Sequence, residues 1–365
     1  MEVEIYKSKQ IDLESVSVAE LYPEGRFFED RSTQFVQGSL GNCWLVAAVE
    51  SLRHDEDAFT RVVKDECNFE FWERGDYTKR INLVNNAVPA FDGAPVFMKC
   101  LGETNEYWGI LLEKAFAKWL GCYEALEGGF WSFAMQAFTG GVIERIKMRD
   151  RPDDLFDYMV DCYKNGSSLC CILKRDGEDE DYRERYHTLC CIKIIEGDSK
   201  IMVRDPSKKY ETECHEVSYD EFTELYHRLD ICHKDVSNLS KLRGRNIGEG
   251  EWIQNIIDVH ESENILNIEL EEPDDDTDGD DDPKCTIVLE VVRAMIVQEG
   301  RINPWHYMET FSISISDIDV NITFPQETFV LSLPPGQYTL SVENAPPNVY
   351  LRIFSKKNYN VQVVE

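Results

Sequence analysis

The sequence predicts an α+β protein in which a mainly helical region comes first and antiparallel strands follow. Three observations carry that expectation. Apolar residues recur at helical spacing from Gln37 to about Asp150, and the period shortens to that of strands from about Leu169. From Glu251 to Glu365, short alternating segments are separated by Pro and Gly turns, which is the spacing of an antiparallel β-sandwich.

Residues 1–30 show little periodicity and read as an N-terminal arm. In the region 31–150, Ala47, Ala48 and Leu52 share a helix face, as do Leu111, Leu112, Ala115 and Leu120. Between them, Phe69–Trp72 and Ile81–Val84 read as strands that close with the turn Phe91-Asp92-Gly93. In the region 151–235, the strands Leu169–Leu173, Thr188–Ile195 and Lys200–Val203 are rich in β-branched and sulfur-bearing residues. The last two are joined by Glu196-Gly197-Asp198 as a hairpin, and Ser218-Tyr219-Asp220-Glu221 matches a capping box that opens a helix. Residues 236–250 lie in a polar stretch with three glycines and read as a linker to the third region, 251–365. Its expected strands include Asn264–Leu270, Cys285–Val292, Phe311–Ile315, Thr328–Leu333, Tyr338–Val342 and Val349–Phe354. Between the first two sits Glu271–Asp282, with nine acidic side chains in twelve residues.

Charge is the compositional outlier. Against 38 Lys and Arg stand 69 Asp and Glu, a net charge of −31 with a pI near 4.6. Such a surface repels nucleic acid and bare anionic membrane, so no nucleic-acid partner is expected, whereas cations such as Ca²⁺ or basic partners are attracted. The twelve cysteines are scattered or adjacent (Cys170-Cys171, Cys190-Cys191) with no CxxC pair, which argues against a structural zinc site. The first residues show no basic-then-apolar signal, and the apolar runs are too short to span a bilayer. Together these features predict a cytoplasmic protein with reduced thiols.

The segment Gln37-Gly38-Ser39-Leu40-Gly41-Asn42-Cys43-Trp44 places a cysteine where a Gly-containing loop meets an apolar helix. Unpaired N–H groups and the positive end of the helix dipole lower a thiol's pKa at such a junction, and the same N–H groups can stabilise an oxyanion. Gln37 offers a neutral amide to complete that hole. The competing reading of Cys43 is a buried cysteine behind an ordinary helix entry. A thiolate also needs an imidazole. Of seven histidines, His54, His215, His227, His233, His260 and His306 have no evident orienting partner in sequence and read as surface or satisfied residues. His187 opens one hairpin strand and Asp205 ends the other, each nine residues from Glu196, so antiparallel pairing brings them opposite or nearly so. Asp205 could then orient His187 and stabilise the imidazolium. The competing reading is an ordinary cross-strand ion pair.

These segments resemble the calpain family of cysteine proteases. The likeness runs through Gln37–Trp44, Phe69–Trp72, Leu111–Lys118, Gly121–Gly129, Phe138–Val142, the His187 strand, Arg204-Asp205-Pro206 and Tyr226–Cys232. It continues in Glu272–Asp276, Leu333–Gly336 and Leu351–Ser355. The resemblance implies a papain-like core of two subdomains followed by a calpain-type β-sandwich. It implies limited cleavage of protein substrates, with Cys43 as nucleophile, His187 as base, Asp205 orienting the base and Gln37 in the oxyanion hole.

The chain departs from the family pattern in three places. Asp205-Pro206-Ser207-Lys208 stands where the family has Asn-Pro-Trp-Gly. The acidic segment that follows that motif is missing, and with it one Ca²⁺ site. The acidic ligands of the other core site match Gln34 and Phe133, which are not hard anionic donors. The expectation is therefore a Cys-His-Asp endopeptidase that needs no cofactor and whose core Ca²⁺ does not switch directly. No EF-hand loop spacing occurs, so no EF-hand small subunit is expected as a partner. Two alternatives remain. One is a catalytically silent scaffold or regulator. The other is a β-sandwich whose loop residues Glu272, Asp274, Asp275, Asp276, Asp278 and Asp280 bind Ca²⁺ weakly and bridge to phospholipid.

Overall fold

The computed structural model describes residues 13–364 except 76, 102–105, 175–185, 208–213, 244, 246, 248–249, 260–263, 275–282, 295–296, 299–300, 303–309, 316–317, 325 and 347. The chain divides into two compact units. Met1–Gly140, Arg145–Cys232 and Val297–Ile302 form one, and Gly141–Glu144, His233–Ile296 and Asn303–Glu365 form the other. None of the described helices is long and apolar enough to cross a membrane.

In the first unit, strand β1 (Gln34–Val36) leads through a loop into helix α1 (Cys43–Arg53). From Trp44 to Leu52 every residue of α1 is buried, so it is a central helix with no polar face. Helices α2 (Trp108–Leu120) and α3 (Trp131–Thr139) belong to the same helical part, where Trp44, Phe71, Phe116 and Phe138 form a chain of edge-on and tilted ring contacts. The segment read as an arm takes part in the fold from residue 14. Glu14–Ser17 pairs antiparallel with Ala87–Phe91, and Val18 is fully buried. A four-residue strand is too short for its period to be seen against a polar neighbourhood. At the turn after Phe91, Asp92 and Gly93 both take positive φ, as a two-residue hairpin loop requires.

The rest of this unit is built on an antiparallel sheet. Five of its six strands are β2 (Ser168–Lys174), β3 (Tyr186–Ile195), β4 (Lys200–Arg204), β5 (His215–Ser218) and β6 (Tyr226–His233), in the spatial order β5-β4-β3-β2-β6, and the strand that includes Arg145–Lys147 lies beside β6. One face carries Leu169, Cys171, Leu189, Cys191, Ile201 and Val203 and packs with Leu155, Tyr158 and Met159 of helix α4 (Leu155–Lys164). Helix α5 (Tyr219–Leu225) starts at the capping box, with Ser218 and Glu221 bonding reciprocally.

The second unit has nine strands in two antiparallel sheets: β7 (Ile253–Val259), β8 (Asn264–Leu270), β9 (Cys285–Arg293), β10 (Phe311–Ile315), β11 (Ile318–Ile322), β12 (Gln326–Leu333), β13 (Gly336–Glu343), β14 (Val349–Ser355) and β15 (Tyr359–Val364). One sheet runs β7-β14-β9-β12 and the other β11-β10-β13-β8-β15. Alternate residues of both sheets, among them Ile287, Leu289, Leu340, Val342, Leu351 and Ile353, share one apolar cluster. The stretch 236–250, expected to be a linker, is partly structural. Val236, Leu239 and Leu242 lie on two 3-10 turns and pack with Val288 and Phe354 on the other face of the first sheet. Their three-residue spacing is the 3-10 period, masked in sequence by the charged and Gly residues around it.

Candidate active site

Helix α1 opens at Cys43 with Asn42 as its N-cap residue. The Asn42 side chain does not cap the helix; its Nδ2 donates to Glu113 Oε1 of α2 at 2.6 Å, deep in the core. Glu113 also accepts from the Met98 N–H at 3.2 and 3.1 Å. No cation faces this carboxylate, so burial outweighs those hydrogen bonds and its pKa rises to about 7. The loop before the helix lies flat on the chain at Val96 and Phe97. A Cβ on Gly38 would come within 2.0 Å of the Phe97 carbonyl oxygen, which only glycine avoids.

The Cys43 thiol faces His187, with the backbone N–H groups of Thr188 and Trp44 beside it. Burial alone would raise this thiol; the His187 hydrogen bond and charge, with those two N–H groups, overcome burial and lower it. On the other side of the ring, His187 Nε2 donates to Asp205 Oδ1 at 2.6 Å. Burial disfavours the charged imidazole, but Asp205 and Cys43 together raise His187 to about 9. Burial likewise disfavours the Asp205 anion, yet His187 and Ser207 hold it far below the usual carboxylate range. The three shifts agree in sign and favour a thiolate–imidazolium pair backed by a carboxylate.

The register that brings these groups together differs from the symmetric hairpin expected. Strands β3 and β4 start as Ile195↔Lys200 and slip by one residue at a bulge between Cys191 and Lys193, to give Cys190↔Arg204. Continued outward, that register faces His187 with Ser207, and Asp205 reaches the ring diagonally along the same face. Ser207 is a member of the site that sequence reasoning passed over. Its Oγ and N–H donate to Asp205 Oδ1 at 2.7 and 2.8 Å, an Asx-type turn, and its Oγ lies 3.4 Å from His187 Nε2.

Gln37 stands on the same loop as Cys43, but its Nε2 donates to Leu40 O at 2.5 Å, which leaves the second N–H of the amide for another acceptor. Its backbone N–H donates to Pro206 O at 2.9 Å. Arg204 adds two further ties. It donates to Phe35 O at 2.8 Å and pairs with Glu50 of α1 at 3.3 Å, both side chains being buried. The loop bearing Asp205 is thereby fastened to the loop and helix that carry Cys43. Among the other histidines, two have carboxylate partners that the sequence did not reveal. His54 lies 3.4 Å from Glu50, and the buried His233 bonds Glu144 at 2.9 Å. His260 and His306 lie outside the described residues.

Of the six acidic-loop residues proposed to bind Ca²⁺, only Glu272 and Asp274 lie among the described residues. Gln34 and Phe133 supply one neutral oxygen and none, respectively, and Phe133 packs edge-on to Phe130. In the acidic loop, Asp275, Asp276, Asp278 and Asp280 lie outside the described residues. Asp274 is buried, and its two oxygens accept from the Thr286 N–H at 2.9 and 3.1 Å, while Glu272 is exposed near Lys357. Among the described residues no group of three or more His, Cys, Asp or Glu side chains is arranged to hold a metal.

Residues 16–191 match the family model for calpain family cysteine proteases. Among curated proteins, the chain is 26% identical to the calpain-2 catalytic subunit of Bos taurus over 99% of its own length and 64% of that protein's. It is 25% identical to calpain-B of Drosophila melanogaster over 92% of its own length and 46% of that protein's. A shorter match, 39% identical over 149 residues, is to calpain-9 of Mus musculus and covers 38% of the chain and 21% of that protein. The chain thus spans less than two thirds of the length of these relatives.

Proposed function

We propose that the chain is a calpain-family cysteine endopeptidase that cuts protein substrates through Cys43, His187 and Asp205, a reading supported by the match of residues 16–191 to the family model. The observation that carries this reading is the placing of His187 between the Cys43 thiol, to which it is electrostatically coupled, and Asp205, which its Nε2 meets at 2.6 Å. The thiolate attacks the scissile carbonyl and forms a thioester as the His187 imidazolium protonates the departing amine. His187 then takes a proton from the water that releases the acyl group. Asp205 keeps the imidazolium favoured throughout, and Ser207 holds Asp205. The Cys43 N–H at the helix start and the second amide N–H of Gln37 receive the oxyanion.

The helical part and the sheet-based part of the first unit serve, in this reading, as the two subdomains of a papain-like core, and the paired sheets of the second unit as a β-sandwich. The carbonyl of Pro206 and the Glu50–Arg204 pair support an assembled centre whose formation does not wait for Ca²⁺ at Gln34 or Phe133. All twelve thiols are free, which supports residence in a reducing compartment such as the cytoplasm. The test is labelling by an uncharged peptidyl vinyl sulfone with and without Ca²⁺. A single adduct at Cys43, absent in Cys43→Ala, is expected in both conditions. No adduct in either condition would leave a silent scaffold as the better account, and an adduct only with Ca²⁺ would remove the claim of metal-independent assembly.

A further inference from the structure

Beside the nucleophile lies a carboxylate with no role in the chemistry above. Glu127 ends the 3-10 turn Tyr123–Leu126, and the chain around it is pinned to the Cys43 segment at three points. Trp44 Nε1 donates to Leu126 O at 3.0 Å, and the Gly128 N–H donates to Gly41 O at 2.9 Å. Gly129 rests on the Trp44 indole so closely that a Cβ there would come within 2.4 Å of the ring. Held in this way, the Glu127 side chain lies over Gly41, two residues before the nucleophile. A Cβ built on Gly41 would be 3.4 Å from Glu127 Oε1. The carboxylate is half-buried, and among the described residues no ion pair or hydrogen bond to its side chain is formed. Every other carboxylate described at this centre is committed: Glu113 to Asn42 and Met98, Glu50 to Arg53 and Arg204, Asp205 to His187.

We propose that Glu127 is a specificity-determining residue of the cleft, which selects peptide substrates carrying a Lys or Arg side chain next to the scissile bond. The inference rests on the protease reading and adds to it the charge of the substrate. A chain laid against Cys43 passes near Gly41, two residues before it, whose missing side chain leaves room, and a cationic side chain directed there meets the Glu127 carboxylate. A carboxylate held by a pinned loop loses little entropy on pairing, so the selection falls on the substrate's charge. The net charge of −31 draws basic peptides in the same sense, but at long range and without regard to position. Position therefore separates the two effects.

The experiment is hydrolysis of matched fluorogenic peptides in which Lys, Gln or Glu is moved through each position flanking the scissile bond, at low and high salt, with the full chain. At one position Lys should exceed Gln in kcat/KM by about tenfold, and Glu should fall below it. That preference should shrink with salt, disappear in Glu127→Gln and reverse in Glu127→Lys, each read as the Lys-to-Gln ratio so that a general loss of activity cancels. A ratio near one at every position in the wild type, with neutral peptides cleaved, overturns the proposal and leaves the protease reading intact. The same holds if a positional preference survives in both variants. Failure to cleave any peptide, with no probe adduct at Cys43, removes the protease reading and this inference with it.

Discussion

Two of the buried carboxylates of the first unit, Glu50 near the end of α1 and Glu113 under its start, are driven in opposite directions by their surroundings. Burial disfavours the Glu50 anion, but His54 at 3.4 Å, Arg204 at 3.3 Å and Arg53 at 2.5 Å together overcome it, and its pKa falls to about 2. Glu113 meets only an amide side chain and a backbone N–H, and burial carries it up to about 7. Equal burial therefore decides nothing by itself; the partner's charge does. The consequence for the site is a division of labour. The permanent anion locks the Asp205 loop to α1, whereas the neutral-leaning acid sets the position of the residue before Cys43.

Breaking the lock should have the largest effect. Glu50→Gln leaves the buried Arg204 guanidinium and the partly exposed Arg53 without their counter-charge and is expected to cost about 3–5 kcal/mol of unfolding free energy, read by urea denaturation. Replacing both partners, Glu50→Met with Arg204→Met, should recover most of that stability, since paired apolar groups avoid the desolvation cost. If the pair serves only stability, the double variant regains activity as well. If it holds Asp205 in place, folding returns while kcat stays depressed.

The contrast with Glu113 is sharpened by pH. Its folded pKa of about 7 lies above the ordinary glutamate value of 4.5. Its proton is therefore retained by the folded state as pH rises from 4.5 to 7, and the associated stability is lost through pH 7. Glu113→Gln keeps both hydrogen-bond acceptor roles on one oxygen and removes the titration. Relative to wild type it should gain up to ~3 kcal/mol between pH 5 and 8, measured as the difference in unfolding free energy. A difference that is flat with pH would mean that the acid is already ionised in the fold.

Much of this architecture was legible along the chain. The helix after Cys43, the hairpin carrying His187 and Asp205, the capping box at Ser218 and the C-terminal strands all follow from local period and turn chemistry. What escaped is what joins distant segments. Glu50 and Arg204 are 154 residues apart and Asn42 and Glu113 are 71 apart, so neither pair leaves a local pattern. The bulge at Cys191–Lys193 shifted the expected pairing and hid Ser207, because a β-bulge carries no required residue type. The three apolar residues between 236 and 242 were lost for a different reason: their 3-10 period is too short-lived to stand out in a polar stretch.

Asp205 falls between the two extremes, half-buried beside an ionisable partner, and its substitution should have the smallest effect on catalysis. With a depressed carboxylate and a raised imidazole, the stabilisation of the pair is present above the ordinary carboxylate pKa and is lost as pH falls through the depressed value. On the alkaline side it is present below the ordinary imidazole pKa and is lost as pH rises toward 9. The thiolate–imidazolium form should therefore persist across neutrality, with the alkaline limb of kcat/KM near pH 9. Asp205→Asn keeps an acceptor for Nε2 but removes the charge, so that limb should move toward the ordinary imidazole value and kcat/KM at pH 7 should drop by about tenfold, ~1.4 kcal/mol. Complete loss at every pH would assign the carboxylate a part in the chemistry beyond orienting His187. An unmoved limb would show that the Nε2–Oδ1 bond does not sustain the imidazolium, and the backbone N–H groups at the sulfur would then carry the whole of the thiolate's stabilisation.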